Sequence, residues 1–291
     1  MGKRTPKALA LGNALRQARL EKGFTLRDFA GQIQRDPGVL SRWETGDRIP
    51  RPEQVAQILT SLGVAGEQYD DVMTLVYGTD EPQWVATTLP EQRQQLAAYI
   101  EFEQSAQKIT EITPLMIPGL LQTTDHVRAI MTAGGVPPVD IPTRIAVRAG
   151  RREVITRPNP ARLLALVGQA ALYQNIGGHS GMLAQLHHLV EVNRLPNVDV
   201  RIVPFGVGWH PGLEGAFNLI ESDNAPAVVF LDTRRSTLWL HKEVDVNAYK
   251  QAAEMVARVA LDAEESMRLI TDLIQRMENR DVLPGHPDNL A

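Results

Sequence analysis

Arg42 carries the most definite chemistry in this chain. From the outward face of a short helix its guanidinium can offer a two-pronged fork to O6 and N7 of a guanine in a DNA major groove. The same side chain can instead meet a phosphate or stand solvated, and the residues alone leave those alternatives open. Its setting is Val39-Leu40-Ser41-Arg42-Trp43-Glu44-Thr45-Gly46, followed by Asp47-Arg48-Ile49-Pro50. Leu40 and Trp43, three apart, turn inward, which leaves Gly38, Ser41 and Arg42 facing out. Arg48 and Arg51 flank the turn after this helix and Arg27 begins the helix before it, all three placed for phosphates. Lys3, Arg4 and Lys7 can form a basic arm over the phosphates or the minor groove, or an unstructured basic tail.

Other reactive residue types are present without the spacing that catalysis needs. Gly178-His179-Ser180-Gly181 begins like a nucleophile elbow, but Met182 stands where the second glycine belongs, and the run precedes a helix, so Ser180 reads as an N-cap. His187 and His188 are adjacent and point about 100° apart on a helix, so they cannot share a metal. His179, His210 and His241 lack partners at ligand spacing, and no phosphate-binding or dinucleotide loop is found. The expectation is no catalytic residue, no metal and no cofactor. Gly206-Val207-Gly208-Trp209-His210-Pro211-Gly212 reads as a loop that gates a ligand or meets a partner, or more plainly as a connection with turn residues.

The elements that must position Arg42 follow from caps and periodicity. Thr25 caps a helix that runs to about Ile33, with Leu26, Phe29, Ala30 and Ile33 on one face. Asp36 caps the next, and Pro37 takes its first position, where a missing N–H costs nothing. Gly46 ends it where a left-handed residue is wanted. An opening helix over 12–22, one from Pro52 to Gly63 and one over 66–77 complete five helices, and Gly78-Thr79-Asp80-Glu81-Pro82 is a polar break.

Beyond the break the reading is helix over 90–112, an interruption at Pro114 to Pro118, a helix from Gly119 to Gly134, and another over 140–156. Short β-like runs follow at 163–167, 198–203, 217–220, 227–231 and 237–240. A helix over 179–193 between the first two suggests a βαβ crossover. A long amphipathic helix or helix pair covers 245–278.

Charge is divided along the chain. Residues 1–51 hold eleven Lys/Arg against five Asp/Glu, and the remainder holds 19 against 29, so a +6 module precedes a −10 body within a net −4. One end is suited to phosphate and the other is not. Without cysteine there are no disulfides, no thiolate zinc site and no thiol nucleophile; the apolar runs are too short for a bilayer span or a signal peptide. The expected location is the cytoplasm.

Residues 12–62 resemble the Cro/C1-type (xenobiotic-response-element) helix-turn-helix family, which includes the lambda and 434 repressors. The resemblance implies a structural ion pair between Arg19 and Glu44, and base contacts from Pro37, Gly38 and Arg42. Neither Pro37 nor Gly38 has a side chain able to hydrogen-bond a base, so the family's usual glutamine readout is missing. Thr25, Arg27, Pro37, Gly38, Val39, Ser41, Arg42, Arg48 and Arg51 form the expected DNA-facing set. Residues 95–275 resemble an antitoxin-like regulator domain common in actinobacteria, through Ile117-Pro118-Gly119-Leu120-Leu121-Gln122-Thr123, Gln185-Leu186-His187-His188-Leu189, Val200 to Phe205, Gly215-Ala216-Phe217 and Ala260 to Ser266. Gln169 stands where that family often has an acid.

Together these give an all-α five-helix Cro/C1-type helix-turn-helix domain over 1–78, a linker over 79–89, an α+β domain with a small mixed sheet and a long closing helix over 90–278, and a tail over 279–291. The implied function is a sequence-specific transcription regulator, homodimeric on a double-stranded DNA operator, whose second domain mediates dimerisation and binds a small protein partner encoded nearby. An antitoxin-like neutraliser with autoregulatory DNA binding, and a small-molecule-responsive regulator, are the rivals.

Overall fold

The computed structural model describes residues 5–281, apart from 78, 80–82, 86–88, 224 and 234–236. Lys3, Arg4, most of the expected linker and most of the expected tail therefore lie outside the described residues. In chain order the elements are α1 (Pro6–Glu21), α2 (Leu26–Gln32), α3 (Pro37–Glu44), α4 (Pro52–Ser61), α5 (Glu67–Val76), β1 (Gln83–Val85), α6 (Leu89–Ser105), β2 (Lys108–Thr113), α7 (Thr124–Ala133), α8 (Ile141–Arg151), α9 (Glu153–Thr156), β3 (Arg162–Gly168), α10 (Gly178–Val192), β4 (Val198–Val203), β5 (Phe217–Glu221), β6 (Val228–Asp232), β7 (Thr237–Leu240), α11 (Glu243–Val259) and α12 (Ala263–Asp281). The expected class is present: a helical N-terminal region, then helices with parallel and antiparallel strands.

The chain forms two compact units, Met1–Ser105 with Leu219–Ala248, and Ala106–Asn218 with Tyr249–Ala291. Compactness thus divides the chain elsewhere than at the change of pattern read over 79–89, because α6 joins the N-terminal helices.

In the first unit Thr5 caps α1, accepting from Ala8 N at 3.1 Å, and Pro6 follows at the first helical position. The opening helix therefore starts six residues earlier than expected. Leu11, Leu15, Phe29, Leu40, Ile58, Leu59 and Leu75 are almost completely buried and form the helical core. Gly12 sits where a Cβ would meet Trp43 O at 2.6 Å and Glu44 O at 2.7 Å, so α1 approaches the end of α3 too closely for any side chain. β1, β7 and β6 are antiparallel neighbours, and Trp239 lies buried among Trp84, Phe102 and Phe230.

In the second unit β2, β3 and β4 run parallel, with α10 crossing between β3 and β4 as a βαβ unit. Residues 108–113 are a strand, not the end of a helix over 90–112; Ile-Thr-Glu-Ile-Thr is β-branched at four of five places, and that outweighs the helical character of the segment before it. The helix expected from Gly119 is a short 3-10 turn at Gly119–Leu121, after which Thr123 caps α7. The one expected over 140–156 breaks at Arg152 into α8 and α9. Ser180 is inside the first turn of α10, whose N-cap is left-handed Gly177, so the capping role read for Ser180 is corrected.

Two buried glutamines organise the 117–123 segment. Gln122 donates to Ile117 O at 2.8 Å and accepts from Arg148 at 2.7 Å, while Gln185 donates to Leu121 O at 2.8 Å and accepts from Thr123 N at 2.7 Å. A buried turn cannot satisfy its own backbone polar groups, and these side chains do so. The closing segment is a helix pair rather than one long helix. It is interrupted at 260–262, where Asp262 accepts from Glu265 N at 2.8 Å and Glu265 accepts from Asp262 N at 3.3 Å, a capping box. Ser266 accepts from Ile202 N at 2.8 Å, and Leu261 N donates to Ile202 O at 2.8 Å. Val198 N donates to Leu195 O at 3.1 Å, and Val200 N to the Asn193 side chain at 2.9 Å.

Candidate nucleic-acid interface

The interface begins with two caps. Thr25 accepts from Asp28 N at 3.2 Å to open α2, and Asp36 accepts from Val39 N at 3.1 Å to open α3. Between the helices Gln34 takes a left-handed conformation at φ 50°, which reverses the chain in a short span. Pro37 and Gly38 are exposed at the start of α3, Val39 and Ser41 half-buried, and Arg42 exposed. Leu40 and Trp43 are buried on the opposite side. The face that periodicity turned outward is thus the one presented to solvent.

Arg42 Nε donates to Gly38 O at 3.2 Å, which lays the side chain along the helix toward the Pro37-Gly38 end. Gly46, at φ 70°, ends the segment, and Arg48 N donates back to Arg42 O at 3.0 Å. A Cβ at Gly46 would come within 3.1 Å of Ala8 O, so this turn also seats against α1. Arg51 opens α4, its N–H donating to the Gln54 side chain at 2.8 Å; its own side chain and that of Glu53 are exposed and 3.9 Å apart. A pair so solvated contributes little and leaves the guanidinium available.

Behind this face Arg19 and Glu44 form a two-pronged ion pair, with Nε to Oε1 at 2.6 Å and Nη2 to Oε2 at 2.8 Å. Both side chains are buried, and Arg19 also donates to Phe24 O at 2.6 Å, so α1, α3 and the turn before α2 are fixed through one guanidinium. The hydrogen bonds to Glu44 raise the Arg19 pKa above its ordinary value against the opposing cost of burial.

The structure brings Thr25, Arg27, Pro37, Gly38, Val39, Ser41, Arg42, Arg48 and Arg51 into one helix-turn-helix segment, with Arg27, Arg42, Arg48 and Arg51 all exposed. Lys7 lies in the first turn of α1 and is half-buried. Sequence reasoning passed over Arg35, exposed on the turn before Asp36 and 3.4 Å from the Gln57 side chain. A cation one residue before the recognition-helix cap was the signal that could have found it. It also passed over Gly12, which stood at the start of the helix read over 12–22, where nothing local signals the backbone of Trp43 and Glu44 that it faces.

On the closing helices Val256, Ile270, Leu273 and Ile274 are buried, Val259 and Leu269 half-buried, and Met255 exposed. His187 meets Glu278 at 3.2 Å on the surface. Among the described residues no group of three His, Asp or Glu is placed to hold a metal, and no helix is long and apolar enough to cross a membrane.

Comparison with known proteins finds two family matches along the chain. Residues 10–72 match a helix-turn-helix domain family, and residues 96–272, more than half of the chain, match the family described as a domain of unknown function (DUF5753). Two relatives are each named multiprotein-bridging factor 1. The one from Candida albicans is 34% identical over 56 residues, 19% of this chain and 37% of its own length. The one from Debaryomyces hansenii is 35% identical over 54 residues, 19% of this chain and 36% of its own length. The chain thus spans little more than a third of either relative. No solved structure matches it.

Proposed function

We propose that this chain, which belongs to the DUF5753 family and carries a helix-turn-helix domain ahead of that region, is a cytoplasmic, sequence-specific transcription regulator that binds operator DNA as a homodimer. The carrying observation is the solvent-facing side of α3, where exposed Arg42 lies along a start, Pro37-Gly38, that is free of bulk. Arg42 reads a guanine. Ser41 and Val39 border it, Pro37 and Gly38 allow close approach, and Thr25, Arg27, Arg48 and Arg51 meet phosphates. Arg19 and Glu44 hold α3 at its angle without touching DNA. The residues from 90 to 278 serve dimerisation and bind a small protein partner encoded nearby, in the manner of the antitoxin-like regulators the sequence resembles. The −10 balance after residue 51 supports a protein partner over phosphate for that region.

The test is selection of duplexes from a random library by the intact protein, followed by footprinting of the winner at two salt concentrations. A dimer protects two symmetric half-sites about 34 Å apart or a multiple of that, with a log–log salt slope of about −0.9 per phosphate neutralised. A single asymmetric half-site with a shallow slope overturns the dimer. The acidic balance also favours a second reading, an antitoxin-like neutraliser for which DNA binding is autoregulatory. Neutralisation of the partner would then survive Arg48→Ala and Arg42→Ala together, whereas control of target genes would not.

A further inference from the structure

A second constellation lies where the parallel strands of the second unit end. Because β2, β3 and β4 run the same way, their carboxyl ends share one edge, and the segments leaving them line one cavity of about 390 Å³. Parallel sheets hold ligands at this edge, and the size falls in the ~300–1,000 Å³ range of small-molecule sites. The ends of β2 and β3 close on one another because residue 168 is glycine; a Cβ there would lie 2.2 Å from Pro114 O.

The walls are mainly aliphatic, with Ile112, Leu166, Val203 and Val256 among them, and none of the lining residues is Asp, Glu, Lys or Arg. A phosphate, carboxylate or ammonium guest would lose its water and meet no counter-charge. Two polar side chains border the space. Gln169 accepts from Phe205 N at 2.9 Å and so pins the loop that follows β4. His210 is only 7% exposed, and its Nδ1 has no hydrogen-bond partner. Gly212, also in the wall, keeps room for that ring: a Cβ would stand 3.0 Å from Nδ1 and 3.3 Å from Ile112 Cγ2. The His210 imidazole is the one titratable side chain in the wall, and with Gln169 already bonded it is the polar group left for a guest to meet.

We propose that this cavity binds a neutral, mostly apolar small molecule whose single polar group hydrogen-bonds the imidazole of His210. The site lies outside the helix-turn-helix and is read without DNA, so failure of either assignment leaves the other standing.

The probe is N-phenyl-1-naphthylamine, a neutral fluorophore with two apolar ring systems and one N–H, titrated into the full-length chain. The expected result is saturable enhancement at one site per chain, reversed more effectively by 1-naphthol than by 1-methylnaphthalene. His210→Phe keeps an aromatic ring and removes both ring nitrogens, and should weaken the probe about tenfold while leaving competition by 1-methylnaphthalene unchanged. Ala170→Trp, at a small lining residue, should abolish saturable binding. Should that variant fail to fold, Leu213→Trp, at a lining position 60% exposed, gives the same reading without loading the core. Enhancement that never saturates, equal affinity in Leu213→Trp and His210→Phe, or tighter binding of anionic 8-anilinonaphthalene-1-sulfonate would each overturn the proposal.

Discussion

Arg19 and Glu44 in the first unit, and His126 in the second, are all buried titratable groups, yet their surroundings are opposite. The guanidinium and carboxylate answer each other through two bonds, and a backbone carbonyl takes a third. His126 is fully buried and neither of its ring nitrogens has a partner. Burial first, and the positive charge of Arg148 second, push its pKa below the ordinary value. Charge is retained in the core where it must fix the angle of a helix, and is given up where only volume is needed.

The sharpest way to break that contrast is to remove half of the ion pair. Glu44→Leu or Arg19→Met alone should cost about 3–5 kcal/mol, because each leaves an uncompensated buried charge or loses the guanidinium that fixes three segments. The double replacement should recover most of the loss, as read from urea unfolding of the four proteins. Additive losses would mean that the pair acts through packing alone.

Next is Gly12→Ala, which forces α1 off the end of α3 and should cost about 1–3 kcal/mol by overpacking. A melting temperature equal to that of the parent would show that α1 yields freely.

Arg42→Ala should leave stability intact and cost about 1–3 kcal/mol on a selected duplex, with much less lost on a scrambled one. Arg48→Ala should weaken both by similar factors. Binding titrations on the two duplexes separate these outcomes, and equal losses for Arg42→Ala would reduce that residue to phosphate contact.

The smallest effect belongs to His126. The unfolded chain takes up a proton near pH 6.5 that the native imidazole resists, so the stabilisation present above about pH 6.5 is lost as pH falls through that value toward the lower native pKa. His188, lowered chiefly by burial, acts in the same direction. His126→Leu should match the parent within about 1 kcal/mol at pH 7.5 and lose less stability on going to pH 5.5. Identical pH dependence in the two proteins would place the titration elsewhere.

The same contrast explains what was legible in the sequence. The helix-turn-helix could be read because its signals are local: Thr25 and Asp36 cap, Pro37 starts, Gly46 stops, and Leu40 and Trp43 repeat at helical spacing. The ion pair itself links residues 25 apart, and only family resemblance brought Arg19 to Glu44. In the second unit β3 and β4 were legible as apolar runs, whereas β2 was hidden because its partners lie more than fifty residues away and its own Lys and Glu suit a helix. The cavity at the strand ends is assembled from segments after three separate strands, and periodicity within any one of them carries no trace of it. Gly206 to Gly212 could be marked only as a loop of two readings.

The outer strand of the parallel set bears on how this molecule meets others. The donors that β4 turns away from β3, at Val198, Val200 and Ile202, are each taken by a neighbouring segment of the same unit, and Ile202 O is taken as well. A row of open amides invites a foreign strand to extend the sheet, and this row is closed. Backbone pairing at this edge is therefore closed to a partner, and the molecule is guarded along β4 against the edge-to-edge stacking that leads to aggregation.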